Sequence, residues 1–203
     1  LEFRRVLFRS GDDLTRSYIE SSMQLVGLEP GAPGGQWEQP VDLVGVTSIA
    51  PENWKFSDGE AQTTLQPTTD FVALSGEALP EVEIGPSEVV FVGYGIEAPE
   101  FGWDDFKGAN LRGKILLLLN DDPDWDPDIF GGKRRLYYGR WTYKFESAAR
   151  HGAAGAIILH TEASAGYPWK TVVTSFSGEN SRLADDRGPN VRVKAWEIGR
   201  AHV

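Results

Sequence analysis

Apolar residues change their spacing several times along this chain, and each change marks an element. In DDLTRSYIESSMQLVGLEP, the residues Leu14, Tyr18, Met23, Leu25 and Val26 recur at helical spacing. The pattern predicts one helix. Asp12 or Asp13 would accept from the free amides of its first turn, Gly27 would stop it, and Pro30 would follow. EPGAPGG reads as loop. From Trp37 to Leu74 the apolar residues fall into short runs, VDLVGV, AQTTLQ and DFVAL, separated by turn residues, which predicts strands. EVVFVGYGI then predicts a buried strand ending in a glycine turn. GKILLLLN predicts a second strand whose five consecutive apolar residues require cover on both faces. RWTYKFESAARHGA predicts an amphipathic helix with Trp141, Phe145, Ala148 and Ala149 on its apolar stripe and Gly152 at its end. AGAIILH predicts a third buried strand and VRVKAW a last short one. The order strand, helix, strand between Lys114 and His160 predicts a parallel crossover unit. The chain has no internal repeat and no low-complexity tract.

Composition narrows the picture. Of 203 residues, 40% are hydrophobic and 25% charged, which are globular values, and no run is long enough to span a membrane. The net charge is −10, so the surface repels phosphate and nucleic acid is a poor partner. The absence of cysteine excludes disulfides, thiolate metal sites and a cysteine nucleophile. The two ends raise a separate issue. RVLFRS, at residues 5–10, and IGRAHV, at 198–203, can be encoded by reverse-complementary strings, and the shared string is that of a common sequencing adapter. Residues 1–10 and 197–203 are therefore read as translated adapter and set aside, like any fusion scar. On that reading both true termini are missing, and a signal peptide would lie in the lost N-terminal part.

Several stretches imitate functional motifs. GANLRGKI has the glycine and lysine spacing of a phosphate loop, but Ile115 stands where Ser or Thr must meet magnesium. It also runs into a strand where the phosphate loop opens a helix, so it reads as a turn. DDPDWDPD carries Asp122, Asp124, Asp126 and Asp128. A calcium loop starting at Asp124 needs Gly at its sixth position and Glu at its twelfth, where this chain has Ile129 and Arg135. A solvated acidic loop is the leading reading, with an irregular calcium site as the alternative. His151, at a helix end, and His160, at a strand end, fall short of the three or four ligands a zinc site takes. No G-x-S-x-G supports a serine nucleophile. RRLYYGRWTYKFE is basic and aromatic, unlike the rest of the chain. It reads either as a loop leading into a helix with core aromatics or as a contact surface. Trp169, in AGYPWK, divides the same way.

Two long stretches, FVGYGIEAPEFGWDDFKGANLRGKILLLLNDDP and YYGRWTYKFESAARHGAAGAIILHTEASAGYPW, together resemble the protease-associated (PA) domain. More narrowly, they resemble the form inserted into zinc aminopeptidases of the M28 family. The opening YIESSMQLVGLEPGAPGGQWEQPVDLVGV is similar to the helix and first strand that precede the insertion. The resemblance implies a mixed α/β fold and a division into a peptidase piece (11–50), a strand-rich connection (51–87) and a PA-like insertion (88–196). It also implies that the whole protein is an extracellular or periplasmic aminopeptidase, holding two zinc ions with His, Asp and Glu that come after the insertion. Peptides would be its substrates, and the remainder of the peptidase domain a partner in cis. No catalytic or metal-binding residue can be carried onto this chain, which by itself is expected to be inactive. Tyr138, Arg140, Trp141 and Trp169 are the candidates for facing a substrate cleft or a neighbouring domain. A PA-type binding module of a receptor or sorting protein is the alternative, and seven Trp could also suit a sugar platform.

Overall fold

The computed structural model describes residues 2–186 and 188–199 and divides into two units, Leu1–Asp42 and Leu43–Val203. The first unit is helix α1 (Glu2–Leu25) followed by a loop. The helix ends as its sequence predicts. Gly27 takes the left-handed conformation at φ 80°, its amide donates to the Gln24 carbonyl, and the Leu28 amide reaches back to Met23. The start differs from expectation. The helix runs through Gly11, whose cost of about 1 kcal/mol does not stop it. Asp12 and Asp13 therefore sit inside the helix, where both pair with Arg16 instead of capping a terminus. No residue from 10 to 42 is buried, and Leu14, Tyr18 and Leu25 lie exposed.

In the second unit the chain forms β1 (Leu43–Thr47), β2 (Trp54–Asp58), β3 (Ala61–Leu65), β4 (Phe71–Ser75), β5 (Val89–Phe91), β6 (Glu97–Ala98), β7 (Trp103–Asp104) and β8 (Ile115–Leu119). Then come α2 (Trp141–Arg150), β9 (Gly155–His160), α3 (Glu162–Ala165), α4 (Trp169–Phe176), β10 (Glu179–Leu183) and β11 (Val193–Ile198). This is a mixed α/β fold. Its centre is a five-stranded sheet in the order β4-β11-β9-β8-β5. β5, β8, β9 and β11 run parallel, and β4 closes one edge antiparallel to β11. The predicted crossover is present: β8 and β9 are parallel neighbours joined through α2.

Alternation along the strands explains the layers. Leu116, Leu118, Ala156, Ile158 and Trp196 pack with Phe145 and Ala148 of α2 and Val172 of α4. On the opposite face Ile115, Leu117, Ile157 and Ala195 meet Trp54, Phe56 and Leu65 of the β2–β3 hairpin. A strand covered on both faces has no polar positions to alternate, which is why β8 and β9 read as continuous apolar runs. Each fully buried large side chain stabilises this sandwich by about 1.5–3 kcal/mol.

The strand expected to be buried in EVVFVGYGI is the sheet edge. It is only three residues long, and Val89 and Phe91 are exposed. Val92 follows it, buried, with its amide still donating to the Leu117 carbonyl at 3.1 Å as the chain enters the glycine turn. The α2 stripe is also shifted from expectation. Phe145 and Ala148 are buried, but Trp141 is 44% exposed, and Tyr143, Lys144 and Ser147 are buried in its place. The two polar side chains are buried because they serve as donors. Lys144 Nζ donates to the Tyr94 carbonyl at 2.7 Å and Ser147 Oγ to the Gly95 carbonyl at 2.8 Å, which ties α2 to the turn after β5.

Candidate functional site

The carboxyl ends of β5 and β8 lie side by side, and loops leaving this end of a parallel sheet are the usual site builders in open α/β folds. β8 runs into Asn120, Asp121 and Asp122, with Asn120 and Asp122 buried. Asp121 has a left-handed backbone at φ 76°, which is uncommon for a residue with a side chain. Its carboxylate takes two hydrogen bonds from Arg135, Nε at 2.7 Å and Nη2 at 2.8 Å, in the forked geometry that fixes both groups. Arg135 also donates to the Ser164 carbonyl, and so does Asn120 Nδ2 at 3.1 Å. Three chain segments are thus stitched together at one point. Asp122 Oδ2 accepts from the Leu136 amide at 2.9 Å. Gly139 closes the arrangement, because a Cβ there would lie 2.7 Å from Arg135 Cγ and 3.0 Å from Asp121 Oδ1.

The charges of this cluster are perturbed. Burial pushes the Asp121 carboxyl up, but the Arg135 fork and the Asp122 amide outweigh it and hold the group below its ordinary value. Burial pushes Asp122 up despite the Leu136 amide. Lys144 is fully buried, and loss of hydration pushes it down to about 7 against the opposing pull of Asp122, Asp105 and Asp121. Beside these groups opens a cleft of about 300 Å³, lined by Asp121, Asp122, Asp124, Lys133, Arg135 and Arg140.

The four residues singled out in the sequence do not converge. Arg140 lines this cleft and is exposed. Tyr138 joins an aromatic cluster instead, edge-on to Phe130 and Tyr143, and its hydroxyl donates to Glu100, which pushes the phenol up to about 12. Trp141 lines a second cleft with Phe145, Glu146 and Lys194. Trp169 is half-buried near His160, and its indole donates to the Thr68 carbonyl at 2.9 Å. Sequence reading missed Asp121, Arg135 and Lys144 as a group. The adjacent acidic pair that ends the apolar run GKILLLLN was the available signal.

The acidic loop carries an internal hydrogen bond. The Asp128 amide donates to Asp126, and among the described residues no group of three or more His, Asp or Glu side chains is placed to hold a metal ion. Both described histidines make contacts within the fold. His151 stacks on Phe106 at 3.7 Å with Nδ1 against the Ser147 carbonyl, and buried His160 sets Nε2 against the Tyr167 carbonyl. The residues present therefore do not fit the two-zinc centre that the resemblance implies. Among the described residues no helix is long and apolar enough to cross a membrane. No family model matches the chain, and no curated protein is significantly similar to it.

Proposed function

We propose that this chain is part of an M28-like zinc aminopeptidase, acting outside the cytoplasm, and that it supplies a PA-type insertion rather than the catalytic centre. One observation supports the reading above others. The two stretches that carry the resemblance meet as one layered unit, through the β5–β8 and β8–β9 ladders and through the donors that α2 sends to the turn after β5. On this reading the zinc ions and the general base belong to a peptidase lobe outside these residues. In such enzymes a metal-activated water attacks the peptide carbonyl. The unit described here contributes a rigid wall: the Asp121–Arg135 fork holds the loop that presents Arg140 and Trp141.

Two measurements test this. The purified chain should release no aminoacyl reporter with or without added zinc, and zinc-dependent turnover by the chain alone would refute the assignment. Sequence downstream at the same locus should contain a strand ending in His-x-Asp. A transmembrane helix there instead would turn the reading toward a receptor's binding module.

A further inference from the structure

The cleft beside the Asp121–Arg135 pair contains charges that the fold leaves unused. Asp121 and Arg135 neutralise each other, and Asp122 is tied to the Leu136 amide. Asp124, Lys133 and Arg140 line the same cleft, yet among the described residues their side chains enter no ion pair and make no side-chain hydrogen bond. They come from three places: the segment after β8, the turn that follows Phe130, and the residue preceding α2. One negative and two positive groups thus face a single space without pairing with one another.

We propose that this cleft binds a small zwitterion, a free α-amino acid, with its ammonium on Asp124 and its carboxylate on Arg140 and Lys133. Charge selects this class. A simple anion would leave Asp124 facing it unpaired, and a simple cation would leave Lys133 and Arg140 facing it unpaired. A ligand carrying both signs satisfies each free group and is repelled by neither set. Size agrees, since about 300 Å³ is at the small end of ligand sites. The walls are set before binding, because the Arg135 fork and the close approach at Gly139 fix the loop. The fixed backbone leaves only the exposed side chains of Asp124, Lys133 and Arg140 to be ordered by the charge-assisted bonds. This site is independent of the peptidase reading and needs no metal.

Titrate the full chain with leucine, N-acetylleucine and leucinamide, following amide shifts by NMR. Leucine should saturate below about 10 mM, and the two derivatives, each lacking one charge, should bind about tenfold more weakly. Arg140→Gln and Asp124→Asn should each weaken leucine about tenfold, while Lys55→Gln, on the exposed side of the β2–β3 hairpin, should leave it unchanged. The proposal is overturned by an absence of saturation, by N-acetylleucine binding as well as leucine, or by acetate competing as well as leucine. The last result would reduce the cleft to an anion site.

Discussion

Replacing Lys144 with Met should change how stability depends on pH, in a direction the structure fixes. Lys144 is fully buried between the rings of Tyr94 and Tyr143, and its ammonium has the Tyr94 carbonyl as hydrogen-bond acceptor. Burial takes its pKa from 10.5 down to about 7. Between those values the unfolded chain holds a proton that the folded chain has released, so stability rises with pH across this window. Below pH 7 both states are protonated and the full cost of burying the charge is present; above 10.5 it is gone. The gap corresponds to roughly 5 kcal/mol at most, and the portion recovered between pH 6 and pH 9 is about 3 kcal/mol. Met fills similar volume and cannot titrate, but it leaves the Tyr94 carbonyl unpaired at a pH-independent cost of about 1–3 kcal/mol. Urea unfolding followed by tryptophan fluorescence at pH 6, 7, 8 and 9 measures the difference. The variant should compare best with the wild type at pH 6 and lose about 3 kcal/mol of that relative stability by pH 9. Parallel pH curves would mean that the buried amine is solvated or paired in a way this geometry lacks.

Arg135→Gln should lower stability by about 1–3 kcal/mol at neutral pH by stranding Asp121, with the loss read from the thermal midpoint and with faster hydrogen exchange at Leu136. Since Asp121 is held below its ordinary pKa, that pair's contribution is present above the unfolded value and is lost as pH falls through the folded one; the wild type should therefore lose its advantage over Arg135→Gln in acid. Gly76 is buried, and Gly76→Ala should cost about 3 kcal/mol or more in denaturant unfolding. Its Cβ would fall on the Val191 carbonyl oxygen, a backbone atom that cannot move aside without opening the β4–β11 ladder. Limited proteolysis should trim residues up to 42 first and leave 43–199 intact, because none of residues 10–42 is buried; mass spectrometry of the surviving fragment checks the boundary.

The parts of this fold that were legible in the sequence are those where a hydrophobic pattern and burial coincide. β9 is buried almost throughout, and GAIILH has no polar residue before its last position, so the run could be read directly. The crossover followed from it, since parallel neighbours need a connection of helical length. β10 was not legible. ENSRL carries one apolar residue, and it pairs with β1 through backbone bonds that no side-chain period advertises. β2 was missed too, although Trp54 and Phe56 place two aromatics on one side of the hairpin at strand spacing. α4 was missed because Pro168 hides its start, even though proline is tolerated at such a boundary.

The candidate site was the least legible region, and the reason is physical. Periodicity reports which residues avoid water, whereas Lys144, Ser147 and Asp122 are buried because each satisfies a backbone group that would otherwise be stranded. A glycine turn after β5 leaves the carbonyls of Tyr94 and Gly95 without strand partners, and the loop after β8 leaves the Leu136 amide in the same position. Polar side chains must then enter the interior, with the desolvation cost that displaces the pKa of Lys144 and Asp122. The same requirement leaves Asp124, Lys133 and Arg140 unspent at the surface, because the inner carboxylates already have partners. Where irregular backbone must be buried, a sequence read by its apolar spacing misses both the inner polar groups and the free charges they leave around a cleft. The charge inventory of the loops, taken segment by segment against their backbone needs, is the signal that remains.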